Sequence, residues 1–137
     1  MKKLLLFACL SFGLQLFAAP LPVHTAKEIK GRWEKLGQRK INYAIDRDEI
    51  RVTARDGVFS AVQLKFKQGG VNLHRFVIYF RDGSKQEVLT KNRYKAGSAT
   101  RVVDLKGKKR VIKKVVLWYD TKFKSRKRAI VQLWGRH

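Results

Sequence analysis

The residue types that recur at chemically useful spacing in this chain are lysine and arginine. The sequence carries 32 of them against 10 acidic residues, a formal charge of +22. Three stretches concentrate the excess. Lys122-Phe123-Lys124-Ser125-Arg126-Lys127-Arg128 places five positive charges and one ring in seven residues. Lys106-Gly107-Lys108-Lys109-Arg110 is a second basic run, and Lys91, Arg93, Tyr94 and Lys95 form a third group. Lysine and arginine neutralise phosphates, sulfates or carboxylates, while a neighbouring ring such as Phe123 or Tyr94 stacks or inserts. The candidate polyanion-binding residues are therefore Lys91, Arg93, Lys95, Lys106, Lys108, Lys109, Arg110, Lys122, Lys124, Arg126, Lys127 and Arg128. The competing explanation is a solvated surface whose outward lysines keep exposed sheet edges from pairing with other chains.

The acidic residues offer less. Asp46, Asp48, Glu49 and Asp56 place four of the ten acids within eleven residues. Hard cations such as calcium need several oxygen ligands, which loops at the end of a β-sandwich can supply. The spacing is not that of an EF-hand, since no glycine occupies the middle of the stretch and no acid closes it. Neutralising Arg47, Arg51 and Arg55 accounts for these acids equally well. Arg101, Asp104 and Arg110 read either as a clamp for a carboxylate or phosphate, or as an ion pair across the Lys106–Lys109 turn that sets strand register. His24, His74 and His137 are too scattered for a ligand set, and His74 shares the apolar parity of Phe76. Ser60 reads as a buried hydroxyl with a backbone partner. No Ser-His-Asp or Cys-His order is visible. The expectation is a binding protein, not an enzyme, with no cofactor and no metal. A metal-dependent hydrolase using Asp46, Asp48 and Asp56 is the least favoured alternative.

The start of the chain carries a compartment signal. Met1-Lys2-Lys3 is a positive n-region, Leu4 to Phe17 an apolar run of about 14 residues, and Ala18-Ala19 the small residues a signal peptidase requires. The run falls short of the roughly 20 residues that span a bilayer. Residues 1–19 thus read as a cleaved secretory signal, and the expected location is secreted, in the periplasm. Cys9 is the one cysteine and lies inside this segment, so the mature chain has no thiol and no disulfide partner. Without Lys2 and Lys3 the 32 basic residues become 30 against 10 acids, a formal +20. Outside the cytoplasm such a charge favours envelope polyanions such as lipopolysaccharide phosphates, with nucleic acid as the alternative partner. A protein–protein module whose free strand edge accepts another strand is a further alternative.

These side chains need a scaffold, and the hydrophobic period supplies its type. Residues 20–31, with Pro20 and Pro22, read as an extended lead-in, and 32–137 as one domain. Lys35 to Gln38 reads as a bend before a first strand built on Ile41, Tyr43 and Ile45. Ile50, Val52 and Ala54 alternate with polar neighbours, as do Val58, Val62, Leu64 and Phe66, then His74, Phe76, Ile78 and Phe80, then Ala129, Val131 and Leu133. Strict alternation marks strands with one buried and one wet face. Val102–Leu105 and Val111–Tyr119 are expected to form a hairpin across Lys106–Arg110, the second run being a central strand covered on both faces. Asp56-Gly57, Asp82-Gly83 and Gly69-Gly70 are read as further hairpin turns, the Asp-Gly pairs as type I′. The lysine-rich run Lys122 to Arg128 is expected to be another hairpin loop. The fold class is all-β: a single-domain antiparallel sandwich, or a barrel-like variant, of roughly seven to nine short strands.

Gly97-x-x-Thr100-Arg101-x-x-Asp104-Leu105-x-Gly107-x-x-Arg110-x-Ile112, followed by Val115, Leu117 and Tyr119, resembles the motif of the YaaI-like family of small secreted bacterial proteins. Trp33-x-x-Leu36-Gly37, Asp46-Arg47-Asp48-x-Ile50-x-Val52 and Gly57-x-Phe59 resemble its other landmarks in the same order. The resemblance implies a small periplasmic or secreted all-β domain and no assigned activity. The basic run Lys122 to Arg128 is not part of that motif.

Overall fold

The computed structural model describes residues 31–53, 57–120 and 126–137. The signal-peptide reading, the lead-in up to residue 30, Asp56, Lys122 and Lys124 lie outside the described residues. Arg32–His137 forms one compact unit.

Eight strands are present among the described residues, with no helix. They are β1 (Trp33–Lys40), β2 (Arg47–Arg51), β3 (Ala61–Lys67), β4 (Val71–Phe80), β5 (Lys85–Tyr94), β6 (Val103–Asp104), β7 (Ile112–Asp120) and β8 (Ile130–Arg136). Two antiparallel four-stranded sheets form a sandwich that does not close into a barrel. Their orders are β1-β8-β3-β6 and β2-β7-β4-β5. Inward residues of both sheets interdigitate: Val62, Leu64 and Phe66 of β3, Val131 and Leu133 of β8, Leu73, Phe76, Ile78 and Phe80 of β4, and Val115, Leu117 and Tyr119 of β7. With no disulfide available, this core carries the fold.

The expected central strand is β7, paired with β2 on one side and β4 on the other. Ile112, Val115, Val116 and Leu117 are all fully buried. Val116 lies on the outer face, in a row with Val77 of β4, so β7 is covered on both sides as its apolar run requires.

The connections differ from the hairpin reading. Six of the seven links carry the chain from one sheet to the other, and only β4–β5 joins neighbours in the same sheet. Val103–Asp104 pairs with Ala61–Val62 of β3, whereas Ile112–Asp120 lies in the opposite sheet. The turn at Lys106–Arg110 is therefore a crossover and not a hairpin. The links through Gly57, through Gly69-Gly70 and through Arg126–Arg128 are crossovers as well. Asp82-Gly83 does close a hairpin, but only Gly83 has positive φ (95°). Gly83 N–H donates to Phe80 O, and Phe80 N–H to Ser84 O. That is a type I turn followed by a glycine bulge, not type I′.

Two bulges relocate residues. In β1 the register shifts between Lys35 and Gly37; this strand spans Trp33–Lys40, and the residues from Ile41 onward leave it. Ile41 is still buried, while Ile45 is 44% exposed. In β4 the register shifts between Leu73 and Arg75, which places both His74 and Arg75 on the wet face. His74 is thus exposed and does not share the core face of Phe76. Val58, 45% exposed, also leaves the apolar face assigned to it. A bulge adds one residue to a strand and reverses the facing of those before it, which alternation alone does not reveal.

Candidate anion-binding site

Strand register fixes where each basic stretch lies. At one end of the sandwich Val71 pairs with Tyr94, Asn72 with Asp120, and Lys67 with Ile130. At the other end Phe80 pairs with Ile112, and Ala61 with both Asp104 and Arg136. Lys91, Arg93 and Lys95 belong to the first end, as do Arg126, Lys127 and Arg128. Lys106, Lys108, Lys109 and Arg110 belong to the second. Two of the three candidate groups come together and the third stands apart.

At the first end the β3–β4 turn, the exit from β5 and the entry to β8 line one open groove of about 440 Å³. Its residues are Gln68, Gly69, Gly70, Lys95, Ala96, Arg126 and Lys127. Gly69 N–H donates to Lys67 O at 2.7 Å around Gln68, whose φ is 67°, so a tight three-residue turn forms this wall. Tyr43 donates to Gly70 O at 2.9 Å and holds the turn. Arg128 Nε donates to Ile41 O at 2.6 Å, fixing the chain that presents Arg126 and Lys127. Lys91 and Arg93 are part of β5 itself, not of a loop, with Lys91 at φ 48°. Tyr94 stacks on Phe66 with ring centroids 4.5 Å apart. It is a wall of the core and not a free ring for ligand stacking.

Arg110, at the opposite end, is occupied. Its Nη1 donates to Lys106 O at 2.6 Å, and its Nη2 to Asp82 Oδ2 at 3.0 Å and Ser84 Oγ at 2.6 Å. The guanidinium also lies 3.8 Å from the centre of the Phe80 ring. The hydrogen bonds of Ser84, with the Arg110 charge added, hold the Asp82 carboxyl below the usual carboxylate range. Gln86 accepts from Lys106 N–H and donates to Asp104 O, pinning the same crossover to β5. Arg110 is a structural clasp between the crossover and the β4–β5 hairpin. Lys106, Lys108 and Lys109 remain exposed around it. Asp104 does not pair with Arg101 or Arg110 across this turn; its partner is Arg136 of β8 at 3.3 Å. The clasp and this pair join residues 28 and 32 positions apart, so neither was visible in local spacing.

The acidic stretch resolves into two ion-pair groups. Asp48 points inward beside Ile50 and is buried. Its Oδ1 accepts from Arg39 Nε at 3.0 Å, and its Oδ2 from the Tyr119 hydroxyl at 3.0 Å. Burial, then the hydrogen bond and charge of Asp48, push the Tyr119 phenol well above its ordinary range. Glu49 faces outward among Arg47, Arg51 and Lys114. Burial opposes its ionisation, but Lys114 and Arg47 outweigh that and lower its pKa. Both oxygens of Asp48 thus accept from protein donors. Among the described residues no group of three or more His, Cys, Asp or Glu side chains is arranged to hold a metal ion.

The remaining singled-out side chains have partners too. Ser60 Oγ donates to Arg136 O at 3.2 Å in a partly buried site. His137 contacts Glu34 Oε1 at 2.7 Å and packs on Phe59. His74 lies 3.7 Å from Asp120. The sequence reading missed Arg39, whose carboxylate partner is nine positions away. The inward parity of Asp48 with Ile50 was the available signal for a buried charge there.

No curated protein matches this chain. A solved structure of AlgX from Pseudomonas aeruginosa is similar over 76% of this chain and 26% of that one, at 10% identity and a TM-score of 0.44. The chain spans about a quarter of the length of that protein, and a likeness of this size bears no functional argument. Residues 5–135 match the domain of unknown function DUF2541. With nearly its whole length matched, the chain belongs to the DUF2541 family.

Proposed function

We propose that the protein is a non-enzymatic binding module, exported to the periplasm, that holds an anionic envelope component such as lipopolysaccharide phosphates. Its kinship with the YaaI-like secreted proteins is part of this proposal. The observation that supports it is the meeting of Lys95 with Arg126 and Lys127 around one groove, although about 30 residues separate them in sequence. Small residues (Gly69, Gly70 and Ala96) line the groove beside these cations, a combination suited to a phosphate head. Lys91 and Arg93 extend the positive surface along β5.

The test is retention on immobilised lipid A and on heparin. Replacing Lys95, Arg126 and Lys127 together by Ser is expected to weaken retention and reduce the salt slope by about 3. Replacing Lys106, Lys108 and Lys109 by Ser removes the same charge from the other end and is expected to do markedly less. Equal losses would mean that net charge and not the groove holds the ligand. Tighter, steeper binding to single-stranded DNA than to lipid A would favour the nucleic-acid alternative.

A further inference from the structure

The outer faces of the two sheets are built differently. On the face of β2-β7-β4-β5, each acid holds cations: Glu49 engages Arg47, Arg51 and Lys114, and Glu87 engages Arg75. Opposite charges there cancel within the face. On the β1-β8-β3 face the register builds four rows. Across them lie Trp33–Arg136–Ala61, Lys35–Trp134–Gln63, Gln38–Gln132–Lys65 and Lys40–Ile130–Lys67. Among the described residues the one acid that joins these rows is Asp104 of β6, beside Ala61 at the margin of the first, and Lys35, Lys40, Lys65 and Lys67 enter no ion pair. Arg136 alone reaches an acid, Asp104, at the margin.

The middle of this face is also pre-ordered. Trp134 Nε1 donates to Gln132 Oε1 at 3.1 Å, and Gln132 Nε2 to Gln38 Oε1 at 3.4 Å. Lys35 Nζ donates to the same Gln38 oxygen at 3.2 Å. Lys65 Nζ stands 4.2 Å from the centre of the Trp134 ring. An indole, a run of amides and ammonium groups outside any ion pair are thus held together on one sheet face, with outward residues about 7 Å apart along β8.

We propose that this face is a second binding site, independent of the end groove, for a linear polysaccharide whose sugars carry carboxylates. Each element matches one feature of such a chain. The indole packs on the C–H face of a sugar ring. A glutamine amide both donates and accepts, as hydroxyls do, whereas a phosphodiester backbone only accepts. The cations outside any ion pair are lysines, point charges suited to carboxylates, and not the arginine forks that match phosphates. A single-stranded nucleic acid uses the same charge and stacking and is the competing occupant.

Affinity electrophoresis of the protein in gels containing polygalacturonate, dextran or no polymer tests this directly. Polygalacturonate is expected to retard the protein and dextran is not. Trp134→Ala should weaken the polygalacturonate interaction about tenfold, the loss typical of removing a stacking ring. Lys35→Gln with Lys65→Gln, at positions away from the core, should reduce its salt slope by about 2. The Lys95, Arg126 and Lys127 triple variant should leave it unchanged, which separates failure here from failure of the end groove. If Trp134→Ala does not fold, the lysine variant, whose positions stand clear of the core, decides the matter. Unchanged retardation in both the ring and the lysine variants would overturn the proposal. So would oligothymidylate displacing polygalacturonate from the same residues, which would assign the face to nucleic acid.

Discussion

Asp48 and Thr100 are the buried polar residues among those described, and Asp48 shows how single side chains close this sandwich. Its carboxylate joins Arg39 of β1, in one sheet, to Tyr119 of β7, in the other. The pair therefore bridges the open edge where β1 and β2 lie side by side. Arg39→Ala leaves a buried carboxylate with the tyrosine hydroxyl as its remaining donor, which should cost about 2 kcal/mol. Adding Asp48→Ala removes the stranded charge, so the double variant should lose less than the sum of the singles by about 1 kcal/mol or more. Urea unfolding of the four proteins measures this, and strict additivity would show the contact to be idle. Elsewhere rings add to the acids in holding cations. Arg75 lies 3.8 Å from the Trp118 ring centre, Arg110 the same from Phe80, and Lys114 lies 5.1 Å from Tyr79. Each such contact is worth about 0.5–1 kcal/mol at an exposed site.

Among the elements, β8 is the one on which both proposed surfaces depend. It is central in its sheet, paired with β1 and β3, and it follows directly from Arg126–Arg128. Its inward residues are Val131, Leu133 and Gly135. A Cβ at Gly135 would lie 2.8 Å from Leu36 Cδ1 and from Phe59 Cδ1. The Phe59 ring is fully buried and has nowhere to move. Gly135→Ala should therefore destabilise the fold by about 1–3 kcal/mol, as overpacked cores do. A melting temperature equal to wild type would show that the Phe59 contact can relax. The alternation of β3, β4, β7 and β8 was readable because each buries one face at period two. The bulges in β1 and β4 were not, since the partner strand creates them and they leave no mark of their own in the sequence.

At the scale of the whole molecule, charge dominates. A formal +22 on a chain of 137 residues makes the folded state repel itself. Raising sodium chloride from about 10 mM to about 300 mM shortens the screening length from about 30 Å toward 6 Å. The melting temperature should accordingly rise with salt. Polygalacturonate or lipid A in low salt should raise it further, because each binds the native state. A melting temperature that falls with salt would mean that ion pairs such as Arg39–Asp48 outweigh the repulsion.

The alternating apolar residues, the absence of a helical stripe and the glycines at reversals were enough to specify an all-β sandwich, with β7 at its centre and a surplus of cations outside. Those features depend on neighbours two or three residues apart, which the sequence displays directly. Which sheet each strand joins depends on pairing across the whole chain, and a turn such as Lys106–Arg110 has the same composition whether it folds back or crosses over. Only the tertiary structure therefore decided that Lys95 meets Arg126 and Lys127, and that Arg110 is spent on Asp82 and Ser84. It alone gathered Lys35, Lys65, Gln132 and Trp134, drawn from three separate strands, on one face.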